Sequence, residues 1–333
     1  MPMALASSRA LGRREGGQSP AKRGAVALLI ALTAIAIGAP GASATEIVGR
    51  DARDPVLRVD ASGRAGVSYR TKAGTLRQVL AFGAVDAYDP SVGERQVRFT
   101  VDYTGGQRLF GSNLVATMKN TCTPVAPPLP WLVAACRARD GSFWALQSWQ
   151  RMLPNLGHDP WAPRQSVREL HLSHWTGPVA QLEVYFDWAY SARVRHLFGR
   201  LTYRGKPVFG YSTTASGSPL DAWGRNIYLD TLDSAYGPGW RRENSFLAHT
   251  GTGVFCYGFF ARDPYPGYPA GRRPPGHGTR YRMTVLGPGV TPAVGWEGPG
   301  VAAYDGADPA QAERERQLNS IRRSWNDRLC SKD

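Results

Sequence analysis

Lysine is almost missing from this chain, in which five lysines stand against thirty-five arginines. The arginines are scattered rather than run together, which excludes a polybasic tail and suits a GC-rich coding bias as readily as a binding role. The signatures of common enzymes are absent too. There is no G-x-S-x-G elbow, no H-E-x-x-H zinc helix, no phosphate-cradling G-x-x-x-x-G-K and no D-x-D-x-D-G calcium loop, so no motif calls for a cofactor. Cysteine is sparse, four in 333 residues, and no two are spaced as C-x-x-C, so neither a zinc ribbon nor a dithiol site is expected. A single apolar run stands out, Ala25 to Ile37, and its 13 residues fall short of the ~20 that span a bilayer as a helix.

What is present begins with that run. Arg9, Arg13, Arg14, Lys22 and Arg23 precede it and Ala42-Ser43-Ala44 follows it, the order of an export signal cleaved near Ala44. Glu15-Gly16-Gly17 follows Arg13-Arg14, which favours general secretion over a twin-arginine route. The mature chain is expected outside the cell, with no membrane association once the signal is removed. The full chain carries a formal charge of +14, and leaving five basic and one acidic residue behind with the signal brings it to +10. A field of that sign attracts acidic polysaccharide, anionic envelope polymers or nucleic acid, without implying a specific nucleic-acid partner. In an oxidising compartment Cys122, Cys136, Cys256 and Cys330 are expected to form two disulfides. Three pairings are possible. Cys122 with Cys136, closing the 124–130 proline loop, and Cys256 with Cys330, pinning the tail, are favoured.

The rest reads as antiparallel β structure. A meander at 57–81 turns at Ala61-Ser-Gly63 and Lys72-Ala-Gly74, glycine supplying the positive φ of tight hairpins. Residues 96–103 alternate apolar and polar, and 113–120 suit a short helix. Strands at 131–138 and 143–151 flank Arg139-Asp-Gly-Ser142, and 194–203 and 208–211 flank Arg204-Gly-Lys206. Further strands fall at 226–231, 242–248, 253–260 and 280–286, with 154–163 and 264–278 as loops. Asp308 and Pro309 cap a closing helix whose stripe is Leu318, Ile321, Trp325 and Leu329. The expected fold is all-β, an antiparallel β-sandwich or jelly roll with one C-terminal α-helix. The organisation is a signal at 1–44, a β-rich domain at 45–305 and a helical tail at 306–333. Within the β-rich domain, an N-terminal sheet at 45–120 and a main body at 131–305 divide at the proline-rich stretch.

Two groups of residues suggest chemistry. If 169–175 and 181–188 pair as a hairpin, His171 stands opposite Glu183 or Tyr185, and Arg200 joins the same polar face. A tyrosine or histidine with an arginine is the set that β-elimination of an acidic sugar requires, so Tyr185, His171, Arg200 and Glu183 are the catalytic candidates. The solvated side of an ordinary sheet explains the same pattern. Glu183 and Asp187 on one strand lie ~13 Å apart, too far for a glycosidase pair. Glu169 beside Asp187 fits the retaining distance better. His171 and His174 point to opposite faces of a strand, so no metal site is expected. Aromatics make up 11% of the chain, and Trp161, Trp175, Trp188, Trp223 and Trp240 fall at strand ends or loops, where rings can stack on sugars. Trp240 with Arg241, Arg242 and Glu243 is the preferred ligand-binding loop.

Residues 144–155, 228–237, 240–246, 254–259 and 285–291 together resemble a group of uncharacterised exported proteins of high-GC Gram-positive bacteria. The resemblance covers much of the mature chain and implies export and one shared fold. It brings no catalytic residue with it. The functional expectation is a non-catalytic, envelope-associated protein that binds a glycan or another anionic polymer. An extracellular polysaccharide lyase or glycoside hydrolase, and a structural or protein-binding exoprotein, are the alternatives.

Overall fold

The computed structural model describes residues 45–88, 97–150, 167–189, 194–208, 212–213, 219–220, 227–234, 237–244, 252–259, 277–327 and 330. The expected signal at 1–44, Trp161, Trp223, Leu329 and the loops at 154–163 and 264–276 lie outside them. The first half contains β1 (Glu46–Arg50), β2 (Arg53–Val59), β3 (Ala65–Arg70), β4 (Leu76–Phe82), β5 (Thr100–Asp102), helices α1 (Gln107–Phe110) and α2 (Leu114–Thr117), β6 (Thr123–Pro124), β7 (Leu132–Arg137), β8 (Phe143–Gln150) and β9 (Arg168–Trp175). The second half contains β10 (Gln181–Ala189), β11 (Val194–Tyr203), β12 (Lys206–Pro207), β13 (Ser212–Thr213), β14 (Pro219–Leu220), β15 (Ile227–Ser234), β16 (Gly237–Asn244), β17 (Val254–Phe259), β18 (Arg280–Val285), β19 (Val294–Pro299) and helix α3 (Pro309–Ser324). The fold is all-β with one C-terminal helix, and every described strand pairing is antiparallel.

The glycine turns act as the sequence predicts. β2, β3, β4 and β5 form one meander, with Gly63 and Gly74 in its two tight turns. Between β11 and β12, Arg204 and Gly205 both take positive φ, 51° and 74°, the geometry of a two-residue primed hairpin. The β7–β8 hairpin closes over Asp140, whose carboxylate accepts the Ser142 amide at 2.9 Å.

Two larger layers carry the rest. One sheet runs β1-β9-β8-β7-β6, and it faces the β2–β5 meander across a core of Val59, Val67, Val79, Trp144, Leu146, Leu170 and Leu172. A second pair of sheets, β10-β11 with β12 and β17, and β16-β15-β18-β19, encloses Phe186, Leu197, Leu229, Phe255, Tyr281 and Met283. The apolar cores therefore divide after β9, and not at the proline-rich 124–130 stretch. The inward valines of the β2–β5 meander need a partner layer, and β7, β8 and β9 supply it.

Both disulfides form as expected. Cys122–Cys136 joins the chain beside β6 to β7, and Cys256–Cys330 ties β17 to the segment after α3. The helix starts at Asp308, whose side chain accepts the Ala310 amide at 2.9 Å, with Pro309 in the first turn. The Gln311 side-chain Oε1 accepts the Asp305 amide at 2.8 Å. α3 lies on the side of β10–β11 away from the core, with Trp325 against Tyr185 and Phe198. No helix among the described residues is long and apolar enough to cross a membrane.

Candidate functional site

The expected groove of His171, Glu183, Tyr185 and Arg200 does not assemble. β9 has β1 on one side and β8 on the other, and β10 pairs with β11, so the 169–175 and 181–188 segments are not a hairpin. Glycine at 177 is used instead to carry the chain from one pair of sheets to the other. His171 stands opposite Gln147 on β8 and is buried. Its ring stacks on Trp149 with centroids 3.7 Å apart, Nδ1 meets the Thr45 hydroxyl at 2.7 Å, and Nε2 faces the Glu169 carboxylate at 3.4 Å. Burial, opposed by Glu169, holds the His171 pKa below the ordinary histidine range.

The other three candidates do share a face. Glu183 is directly opposite Arg200, with the charges 3.8 Å apart, and Tyr185 is opposite Phe198. That face is no open sheet, because α3 covers it. The Arg200 guanidinium lies 5.4 Å over the Trp325 ring and Arg322 reaches Asp187 at 4.0 Å. Asp187 is fully buried and bonds to His196 Nδ1 at 2.9 Å. The Glu169 and Asp187 pairing proposed as a glycosidase dyad is absent, since the two stand on strands of different sheets.

Trp240, Arg241, Arg242 and Glu243 are placed on strand β16 rather than in a loop, and the pleat divides them. Arg241 and Glu243 sit on the side facing Tyr257, whose hydroxyl donates to Glu243 at 2.7 Å. Trp240 and Arg242 point the other way, onto the face that carries Tyr228, Asp230 and Leu232 of β15. Here the register builds a ladder of alternating charge across the sheet. Arg242 stands opposite Asp230, Asp230 opposite Arg282, and Arg282 opposite Glu297.

The geometry within this ladder is close. Arg242 Nε donates to Asp230 Oδ1 at 2.6 Å, while Arg282 donates to Oδ2 from Nε at 3.2 Å and from Nη2 at 2.9 Å. Asp230 is 1% exposed, so one buried carboxylate compensates two guanidinium groups, as a buried charge requires. Each arginine also lies on an aromatic ring. Arg242 is 4.2 Å from the Tyr228 centroid, and Arg282 is 4.4 Å from Trp240 and 5.8 Å from Trp131. Arg280, beside them on β18, is exposed and reaches Glu297 at 2.6 Å. Among the described residues of this face, three arginines stand with two carboxylates and three aromatic rings.

Of this group the sequence singled out Trp240 and Arg242. Asp230, Arg282 and Tyr228 fall on the polar side of their strands by simple alternation, but which strand neighbours which is not encoded locally. Trp131 gave no signal at all; it reaches the site from the turn before β7, with a φ of 53°. Among the described residues no group of three or more histidine, cysteine, aspartate or glutamate side chains could hold a metal ion. Compared with known proteins, the chain matches no protein-family model, no curated protein and no solved structure, so the site is read from its own chemistry.

Proposed function

We propose that this is an exported, non-catalytic protein that binds anionic polymers, acidic glycans foremost, through the Trp240–Arg282 face of the β16-β15-β18-β19 sheet. The observation that carries the reading is the Arg242–Asp230–Arg282 array with its three rings. Guanidinium groups held over aromatic rings and bonded to a carboxylate are oriented in advance, so little side-chain entropy remains to be lost when an anion arrives. Trp240 offers a ring face for a sugar, and partly buried Arg282 and exposed Arg280 offer the charge. The formal charge of +10 left once the signal is removed adds a long-range attraction of the same sign. Export is supported by the two disulfides, which persist in oxidising compartments.

The test is binding of the oxidised protein to immobilised polygalacturonate and to a neutral glucan over a range of NaCl concentrations. Binding is expected for the acidic polymer alone and should weaken as salt screens it. Trp240→Ala and Arg280→Gln are each expected to lower affinity by about tenfold, the equivalent of ~1.4 kcal/mol. Equal binding of both polymers, no binding at low salt, or no effect of either substitution would overturn the reading.

A further inference from the structure

His174 on β9 stands where three parts of the chain meet. Its amide donates to the Val290 carbonyl at 2.8 Å, on the segment between β18 and β19, and its carbonyl accepts the Asp86 amide at 3.1 Å, beyond β4. The ring is buried and stacked on Trp144, with centroids 3.8 Å apart. Nδ1 meets the Ala84 carbonyl, and Nε2 meets the Ser142 hydroxyl at 2.8 Å. That hydroxyl, buried at the β7–β8 turn, lies 2.6 Å from Asp140 Oδ1. Asp140 is exposed, so the row Asp140, Ser142, His174, Ala84 runs from the surface to the interior.

The hydrogens along this row do not match its contacts. Three contacts join the four groups and each needs one hydrogen, but the Ala84 carbonyl and the Asp140 carboxylate can only accept. A neutral ring and a hydroxyl bring one hydrogen each. The carbonyl is fixed by the backbone while the hydroxyl can turn, so the ring hydrogen belongs on Nδ1. The Ser142 hydrogen then has Nε2 and Asp140 to choose from, and the charged acceptor binds it more strongly. Nε2 is left facing an oxygen lone pair. A second ring hydrogen removes the conflict, because an imidazolium donates from both nitrogens and all three bonds form.

The ring, and not the carboxylate, is the group that takes up this hydrogen. Bonds from the Ser142 hydroxyl and amide hold the Asp140 pKa below its ordinary value. Burial lowers the His174 pKa, against the Ala84 carbonyl and the charges of Asp140 and Asp86, so the ring is neutral at neutral pH and charges on the acid side. Asp86 is itself engaged, by the Thr176 amide and hydroxyl and by Arg204 at 2.8 Å. Of the hairpin's arginines, Arg137 lies over the Phe143 ring at 5.9 Å and Arg139 is exposed. The 287–292 segment carries no charged side chain.

We propose that Asp140, Ser142 and His174 form a proton-operated latch between the β7–β8 turn and the segment after β4, open at neutral pH and closed when the ring takes up a proton. Closing it orders the joint without raising overall stability. The unfolded chain takes up the proton at the ordinary histidine pKa of about 6.5, so this contribution is full above that value and is lost as pH falls toward the lower folded one.

NMR of the oxidised chain with labelled histidine tests the latch, the His174 signals being assigned by their loss in His174→Gln. At about pH 8 the ring is expected as the Nδ1–H tautomer, and it should titrate below about 6.5 with the Ser142 amide shifting at the same midpoint. Hydrogen exchange at that amide, corrected for the intrinsic effect of pH, should slow at least about tenfold as the latch closes. Ser142→Ala should keep the ring titration and remove the slowing, while Asp140→Asn should move the ring midpoint lower still. An Nε2–H tautomer at neutral pH, a Ser142 amide that does not follow the ring, or slowing that survives Ser142→Ala would overturn the proposal. The tautomer and both midpoints are read on the parent chain, so they decide the question even if a variant does not fold.

Discussion

Asp230 and His171 illustrate how burial decides what a polar side chain can do. Asp230 lies in the interior with two guanidinium groups bonded to its carboxylate. His171 has one hydroxyl and one more distant carboxylate, and burial outweighs them, so the neutral ring is favoured. The consequence for stability has a definite sign. Above the ordinary histidine pKa of about 6.5 the ring is neutral folded or unfolded, and the full stability is present. As pH falls through that value toward the lower folded one, the unfolded chain takes up the proton first and stability is lost. The urea midpoint is therefore expected to drop between pH 7.5 and 5.5, and His171→Gln should flatten part of that slope. Identical slopes for the two proteins would show that His171 does not titrate in this way. None of this was legible from the sequence, where His171 falls on the polar side of an alternating strand. Alternation gives the side of a strand, but it does not say whether water or another layer lies there.

At the scale of elements, what local chemistry fixes was legible and what distant pairing fixes was not. Turns that need positive φ, such as Arg204-Gly205, and the capped start of α3 follow from two or three adjacent residues. The failure at β9 and β10 is of the other kind. Their polar faces were aligned on the assumption that consecutive strands pair, but β1, more than a hundred residues earlier, holds that edge of β9. The helix shows the same lesson from outside. Its apolar stripe indicated that it packs on the β body, while the face it covers, with Glu183, Tyr185 and Arg200, had looked like a solvated one. Cys256–Cys330 closes a separation of 74 residues around this contact. Replacing both cysteines by serine is expected to cost about 2–4 kcal/mol, mainly by freeing the unfolded chain. Hydrogen exchange should show the largest loss of protection in α3. Unchanged protection there would mean that Trp325 and Arg322 hold the helix unaided.

For the whole molecule, two apolar cores raise the question of what joins them. Gln147, fully buried on β8, provides one connection. Its amide donates to the Pro130 and Ala293 carbonyls at 2.9 and 3.0 Å and accepts the Ala293 amide at 3.0 Å. Ala293 adjoins β19, so this side chain couples the first pair of sheets to the second. Gln147→Ala strands those backbone groups and is expected to cost about 2–4 kcal/mol. Calorimetry should then resolve two transitions in the variant where the parent shows fewer. A single unchanged transition would place the coupling elsewhere. The same architecture accounts for how the Trp240 face is built: Trp131 comes from the first pair of sheets and Arg282 from the second, so the site exists only where the two meet. The Cys256–Cys330 bond adds a property of a different order. Residues 257–329 form a closed covalent ring with β17 and the tail, so one backbone cut anywhere within it opens a loop without releasing a fragment. Under attack by a protease, a nicked molecule would keep β18, β19 and α3 until the disulfide is reduced.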